Sequence, residues 1–165
     1  MKQLESFSKG SLLDLACGDG RNAIYFAQMG FDVTAVDFST VALARLEKFA
    51  REANVSVTRI ESSLEALSFS KSFHSVILSH FKPETNLLSR IVDWLKPGGT
   101  LAVCTFNTLE HLHNGFSMKY CLAPRELIQI DGLETIHYDS FTELSGDETR
   151  YLDGYFYLKE LTQRI

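Results

Sequence analysis

The sequence predicts an α/β protein built on a doubly wound, mostly parallel sheet of seven strands, with an antiparallel hairpin strand at its C-terminal end. Three observations predict it. Short apolar runs alternate with stretches at helical spacing through residues 11–106. Those runs are nearly continuous in apolar residues, as in strands buried on both faces. Two β-rich runs with no helix between them, residues 133–141 and 150–161, close the chain.

In order, Ser11–Leu15 reads as strand one and residues 17–20 as a turn. Residues 21–29 form a helix with Ile24, Ala27 and Gln28 on one side, and Gly30 ends it as a C′ residue. Asp32–Asp37 is strand two. Ser39 caps a helix over 40–53, where Val41, Leu43, Ala44, Leu46 and Phe49 make an apolar stripe. Strand three covers 55–61, a short helix or irregular turn 63–70, and strand four 75–81. Pro83 falls in the first turn of a helix over 84–95, and Lys96-Pro97-Gly98-Gly99 stops that helix and turns the chain. Residues 100–106 form strand five. The segment 107–123 has no clear periodicity, and 124–130 reads as a short helix. The last two runs pair as a hairpin around Ser145-Gly146-Asp147. No repeat or linker interrupts this pattern, so residues 1–165 are expected to form a single domain.

The 165 residues suffice for a real core, with 45% hydrophobic and 22% charged residues. Net charge is −5 and the lysines and arginines are scattered, which argues against nucleic acid as a partner. Cys17, Cys104 and Cys121 are odd in number and lack metal-ligand spacing, so neither a disulfide framework nor a metal site is expected. The first ten residues are too polar for a signal peptide, and no apolar run approaches the ~20 residues needed to cross a bilayer. The expectation is a cytoplasmic protein with no membrane partner.

Gly18-x-Gly20-x-x-Ala23, at the junction of strand one and the first helix, is a loop whose backbone can approach a ligand closely. The helix start behind it offers free N–H groups to a pyrophosphate or a carboxylate. Asp14 discriminates. A carboxylate near the end of strand one repels a pyrophosphate but suits an ammonium. S-adenosylmethionine (SAM) carries an ammonium, a carboxylate and a sulfonium, and no phosphate. Asp37, at the carboxyl end of strand two, is placed to accept both ribose hydroxyls, as acids at this position do in dinucleotide folds.

These residues resemble those of class I SAM-dependent methyltransferases, of the small bacterial type similar to the tellurite-resistance and thiopurine methyltransferases. The matching pieces are DLACGDGRN (14–22), VTAVDFS (33–39), SLEALSF (63–69), ILSHF (77–81) and LKPGGTLAV (95–103). The resemblance implies a Rossmann-like fold and a SAM-dependent enzyme that methylates a small molecule and releases S-adenosylhomocysteine (SAH). It implies that Asp14, Ala16, Gly18 and Gly20 hold the methionine moiety, with Arg21 and Asn22 placed to reach its carboxylate or the substrate. Asp37 would bind the ribose and Phe38 pack on the adenine. The backbone at Ser63 and Leu64 would meet the adenine edge, and that at Ser79 and His80 the amino group. There are three departures. Ala16 replaces the usual first glycine, which is tolerable only if its φ stays negative. Ser63 replaces the aspartate that often binds the adenine amino group. His74 replaces an aspartate before strand four and is expected at the surface.

On the acceptor side, relatives commonly cover the cofactor with N-terminal helices, whereas only residues 1–10 precede strand one. The cover is therefore expected from 107–123, from the first residues, from a second subunit in a homodimer, or from the substrate. His111, His113, Phe116, Met118 and Tyr120 are candidates to shape that site. His80 is the candidate general base, since histidine titrates near neutrality, with Asn107 second. Two other readings share the loop: a SAM-binding module with little or no catalysis, and a nicotinamide-dependent oxidoreductase, for which 165 residues leave little room beside the nucleotide fold.

Overall fold

The computed structural model describes residue 7 and residues 9–161. β1 (Ser11–Leu15), β2 (Asp32–Asp37), β3 (Thr58–Glu61), β4 (Phe73–Ser79) and β5 (Leu95–Phe106) run parallel. β6 (Leu133–Ser145) and β7 (Glu148–Lys159) form the hairpin. The seven-stranded sheet has the order β3-β2-β1-β4-β5-β7-β6, so β7 inserts antiparallel between β5 and β6. β1 lies between β2 and β4, where the strand order reverses and where open α/β sheets bind ligands.

Alternation along each strand sorts the core. Leu12, Val33, Ala35 and Ile77 pack with Ala23 and Phe26 of α1 (Arg21–Gln28) and Leu43 and Leu46 of α2 (Thr40–Glu52). Leu13, Leu15, Val76 and Leu78 point to the other face, against Leu88, Ile91 and Trp94 of α3 (Thr85–Trp94). Asp14 shares the parity of Leu12 and so lies beneath α1.

Two Schellman motifs set the returns from helix to strand. After α1, Gly30 adopts φ 92°, its N–H donates to Ala27 O, and the Phe31 N–H donates to Phe26 O. Phe31 then packs on Phe26 at 5.3 Å, the hydrophobic contact this motif favours. After α2, Asn54 takes the same role at φ 54°, with Val55 N–H donating to Ala50 O. That return absorbs the residues after Val55, which is why β3 starts at Thr58 rather than at 55.

Other boundaries also differ from expectation. Pro83 precedes an extended N-cap, Glu84, and lies outside α3. Residues 96–99 do not separate α3 from its strand. They bulge out within β5, between the pairs Phe73↔Leu95 and Ser75↔Thr100. Residues 64–66 form a turn. The segment 107–123 contains α4 (Thr108–Asn114) and a 3-10 turn, Met118–Tyr120. Residues 124–130 form no helix: Arg125 is left-handed at φ 60°, the Tyr155 hydroxyl accepts the Leu127 N–H, and the Tyr157 hydroxyl donates to Leu127 O. His74 is half-buried in β4, where its Nδ1 takes the Ser11 N–H at 3.1 Å and so fastens the start of β1.

Candidate active site

The loop after β1 is built on unusual backbone. Ala16 has φ 53°, contrary to the expectation that it stays negative, so a side-chain-bearing residue sits in the left-handed region. It is held there because Cys17 N–H donates to Val36 O at 2.9 Å, re-anchoring the chain to β2 one residue later. Gly20, at φ 86°, is the N-cap of α1, and a Cβ there would lie 2.0 Å from Leu46 Cδ1. Close packing of α1 on α2 therefore requires glycine.

Asp37 ties three elements together. Its Oδ2 accepts the Gly18 N–H and its Oδ1 the Ser39 N–H, both at 2.9 Å. Ser39 caps α2 through its side chain, which accepts from Ala42 N–H at 3.1 Å. Asp37 O accepts the Ser62 N–H, setting the chain that leads to Ser63. Each carboxylate oxygen retains a second acceptor site, so the group can take two more donors. Beside it, Phe38 is 78% exposed, which removes a core role for this ring.

Asp14 is 1% exposed, and its Oδ2 has no hydrogen-bond partner among the described residues. Burial pushes its carboxyl up to about 8, the Ala23 N–H pulls it back, and the Asp37 charge adds to the rise. A buried, half-satisfied carboxyl beneath the loop fits a ligand ammonium, reached directly or through water.

The remaining predicted residues ring the same sheet edge. Asn22 is half-buried in the first turn of α1 and Arg21 is exposed there. Ser63 is exposed, and its Oγ accepts the Ala66 N–H at 3.2 Å, closing the turn that carries Leu64. Arg90 holds that turn from α3 by donating to Leu64 O and Leu67 O. At the end of β4, Ser79 Oγ meets His80 Nδ1 at 2.9 Å. His80 lies past the strand, left-handed at φ 57°, with its N–H fixed on Cys104 O at 2.7 Å. Burial holds its imidazole below the usual histidine pKa, Glu143 opposes this, and Arg21 and Arg150 reinforce it.

A cleft of about 1240 Å³ opens beside this edge, lined among others by Leu64, His80, Thr105, Phe106, Phe116 and Tyr120. Of the 107–123 candidates, Phe116 and Tyr120 reach it. His111 Nδ1 bonds Phe116 O, and His113 stacks on Tyr151 at 4.8 Å. Among the described residues no cluster of side chains could hold a metal. Asn107 is buried and structural, capping α4 by accepting the Leu109 N–H and donating to Asp153.

The sequence reading missed Glu110 and Arg150. Glu110, fully buried on α4, lies 2.7 Å from Arg150 Nε and accepts the Tyr151 N–H at 2.9 Å. Arg150 in turn lies over the Phe106 ring at 4.8 Å. The signal was present: Asn107 followed three residues later by Glu110 is a helix-start pattern.

Known proteins match this architecture. Residues 12–99, more than half the chain, match the family model described as a methyltransferase domain. The chain is 31% identical over 104 residues to a ubiquinone biosynthesis O-methyltransferase of Rickettsia akari, covering 61% of this chain and 41% of that protein. It is 32% identical over 94 residues to the uncharacterized methyltransferase YodH of Bacillus subtilis, covering 54% and 40%. It thus spans about two fifths of the length of these curated relatives. Among solved structures, TehB of Haemophilus influenzae superposes with TM-score 0.79 at 15% identity, covering 96% of this chain and 60% of that one. A SAM-dependent methyltransferase of Methanosarcina mazei superposes with TM-score 0.78 at 19% identity, covering 98% of each chain. NodS of Bradyrhizobium japonicum, solved in complex with SAH, gives 0.74 at 16%, covering 95% and 81%. The chain belongs to the methyltransferase domain family, and its fold is that of class I SAM-dependent methyltransferases.

Proposed function

We propose that this chain is a SAM-dependent methyltransferase acting on a small-molecule acceptor, with residues 1–165 forming one methyltransferase domain. The observation that carries the cofactor reading is the pair of buried carboxylates, Asp14 and Asp37, on either side of the glycine loop. Together they offer acceptors to an ammonium and to ribose hydroxyls, with Asp14 giving up its proton as the ammonium arrives. Bound there, SAM supplies a methyl carbon already activated by a sulfonium, so the protein's work is alignment and exclusion of water.

Asp14 faces the ammonium, while Ala16, Gly18, Gly20 and Asn22 shape the methionine pocket. Asp37 accepts from the ribose through its spare acceptor sites. Phe38 covers one adenine face, and the backbone at Ser63 and Leu64 meets the adenine edge. Ser79 offers its carbonyl to the amino group, and His80 takes a proton from an acceptor that carries one. The relatives' name makes oxygen the first acceptor atom to assay. The acidic net charge argues against a nucleic-acid acceptor, and the three free cysteines suit the cytoplasm. Among the described residues no helix is long and apolar enough to cross a membrane.

Calorimetric titration with SAH and with NADH tests this. Saturable SAH binding is expected, and NADH binding without SAH binding overturns the reading. SAH binding with no methyl transfer to any thiol, amine or hydroxyl acceptor would favour a non-catalytic binding module instead.

A further inference from the structure

The chain between β3 and β4 forms neither helix nor strand over 62–67, so its backbone polar groups need partners from elsewhere. The carbonyls have them. Ser63 O accepts the Ser62 hydroxyl at 2.8 Å. Leu64 O accepts the Leu67 N–H at 3.4 Å and Arg90 Nη1 at 2.8 Å. Leu67 O accepts Arg90 Nη2. The N–H groups are left over. In a trans peptide the N–H points opposite to the C=O, and no peptide here is cis. Anchoring Ser63 O and Leu64 O therefore turns the Leu64 and Glu65 N–H groups the other way. Among the described residues nothing accepts either one.

Arg90 is suited to this work. It comes from α3 with its guanidinium 5.1 Å from the Trp94 ring, one turn further along the same helix. Its planar fork can meet two carbonyls at once, which the compact ammonium of a lysine cannot do in the same geometry. The other end of the turn is fixed independently, because the Ser62 N–H donates to Asp37 O at 3.0 Å. Two outward N–H donors are thus held beside the strand end that carries the ribose acid.

We infer that Arg90 is a positioning residue for recognition of the base. By holding the Leu64 and Leu67 carbonyls, it aims the Leu64 and Glu65 N–H groups at the edge of the adenine. This rests on the SAM reading above. Adenine presents an acceptor, N1, beside its amino group. Hypoxanthine carries a hydrogen on N1, so a fixed backbone donor would face another donor, and that mismatch is costly where water is excluded. A turn released from Arg90 can rotate its peptides and loses the distinction.

Calorimetric titration of the full chain with SAH and with S-inosylhomocysteine, which carries hypoxanthine in place of adenine, reads this as a ratio of affinities. The wild-type chain is expected to favour SAH at least about tenfold. Arg90→Met keeps an apolar side chain on Trp94 and removes both donors. It is expected to weaken SAH roughly tenfold and S-inosylhomocysteine less than about threefold, so the ratio shrinks. Arg90→Lys is expected to fall between wild type and Arg90→Met. Equal weakening of the two ligands in Arg90→Met would mean that Arg90 only supports the fold, and it overturns the assignment. A wild-type ratio in Arg90→Lys overturns it as well, should Arg90→Met fail to fold. So does a wild-type chain that binds both ligands alike. Absent SAH binding by the wild-type chain is a different result, and overturns the cofactor reading itself.

Discussion

The Gly18 N–H donates to Asp37 Oδ2 at 2.9 Å, so the ribose-binding candidate also clamps the glycine loop. One carboxylate thereby sets the loop's shape and presents acceptors to a ligand, and removing it disturbs both. Asp37→Ala is expected to weaken SAH binding by roughly 10- to 100-fold, since charge-assisted hydrogen bonds contribute about 1.5–3 kcal/mol each. Unchanged affinity in a calorimetric titration would remove Asp37 from the site.

Phe38 offers a cleaner separation of binding from folding. At 78% exposure its ring contributes little to the core, so Phe38→Ala should change unfolding free energy by less than about 0.5 kcal/mol. If the ring covers adenine, the same change lowers SAH affinity by roughly 5- to 10-fold. A substantial loss of stability in urea, or full SAH affinity, would contradict the placement.

The positions of those two residues at the end of β2 were legible because their signals are local. A buried apolar strand ending in an acid, beside a glycine loop, fixes Asp37 whatever the distant chain does. The mostly parallel sheet followed from the alternation of strand and helix signals, and the hairpin from two β-rich runs with no helix between them. What escaped was non-local. The 107–123 segment gave no period because α4 is short and its key inward residue, Glu110, is charged and is satisfied by Arg150 and Tyr151 far along the chain. Residues 124–130 mimic a helix, but the β7 tyrosines claim their backbone. The positive φ of Ala16 and His80 left no trace in residue type, because neighbouring strands impose it.

That imposed strain is measurable. Ala16→Gly relieves a left-handed alanine costing about 1–2 kcal/mol and adds unfolded-state freedom costing about 0.5–1 kcal/mol. The net expectation is a variant as stable as wild type or up to about 1 kcal/mol more stable. Gly20→Ala should go the other way, losing about 2–4 kcal/mol, because its new Cβ collides with Leu46 in a packed core. Urea denaturation of both variants checks the pair, and a destabilised Ala16→Gly would mean that φ at Ala16 is negative.

Glu110 and Arg150 make a second test of long-range architecture. Glu110→Ala leaves the Tyr151 N–H without its acceptor and Arg150 with only the exposed Glu148 carboxylate at 3.5 Å, at an expected cost of about 2–4 kcal/mol. Adding Arg150→Met should recover part of that loss, since the cation that has lost its buried carboxylate is gone. A double-mutant cycle in urea with no coupling would show that the pair does not hold α4 to the hairpin.

Asp14 gives the protein a pH dependence of definite sign. Its carboxyl titrates at about 8 in the fold against an ordinary 3.8. Below the lower value both folded and unfolded chains carry the proton, and Asp14 adds no pH dependence. Between the two values the unfolded chain releases a proton that the folded chain keeps, so stability falls as pH rises, and the fall levels off above about 8. Asp14→Asn cannot titrate, so its stability relative to wild type should improve steadily from pH 4 to about pH 8 and then level off, measured by urea unfolding at several pH values. A difference that stays flat would mean that Asp14 ionises normally in the fold. The ligand should act on the same proton. An ammonium brought to Asp14 favours the carboxylate, so SAH binding at pH 7 is expected to release protons. The observed heat should therefore vary with the ionisation enthalpy of the buffer, and Asp14→Asn should lose that dependence.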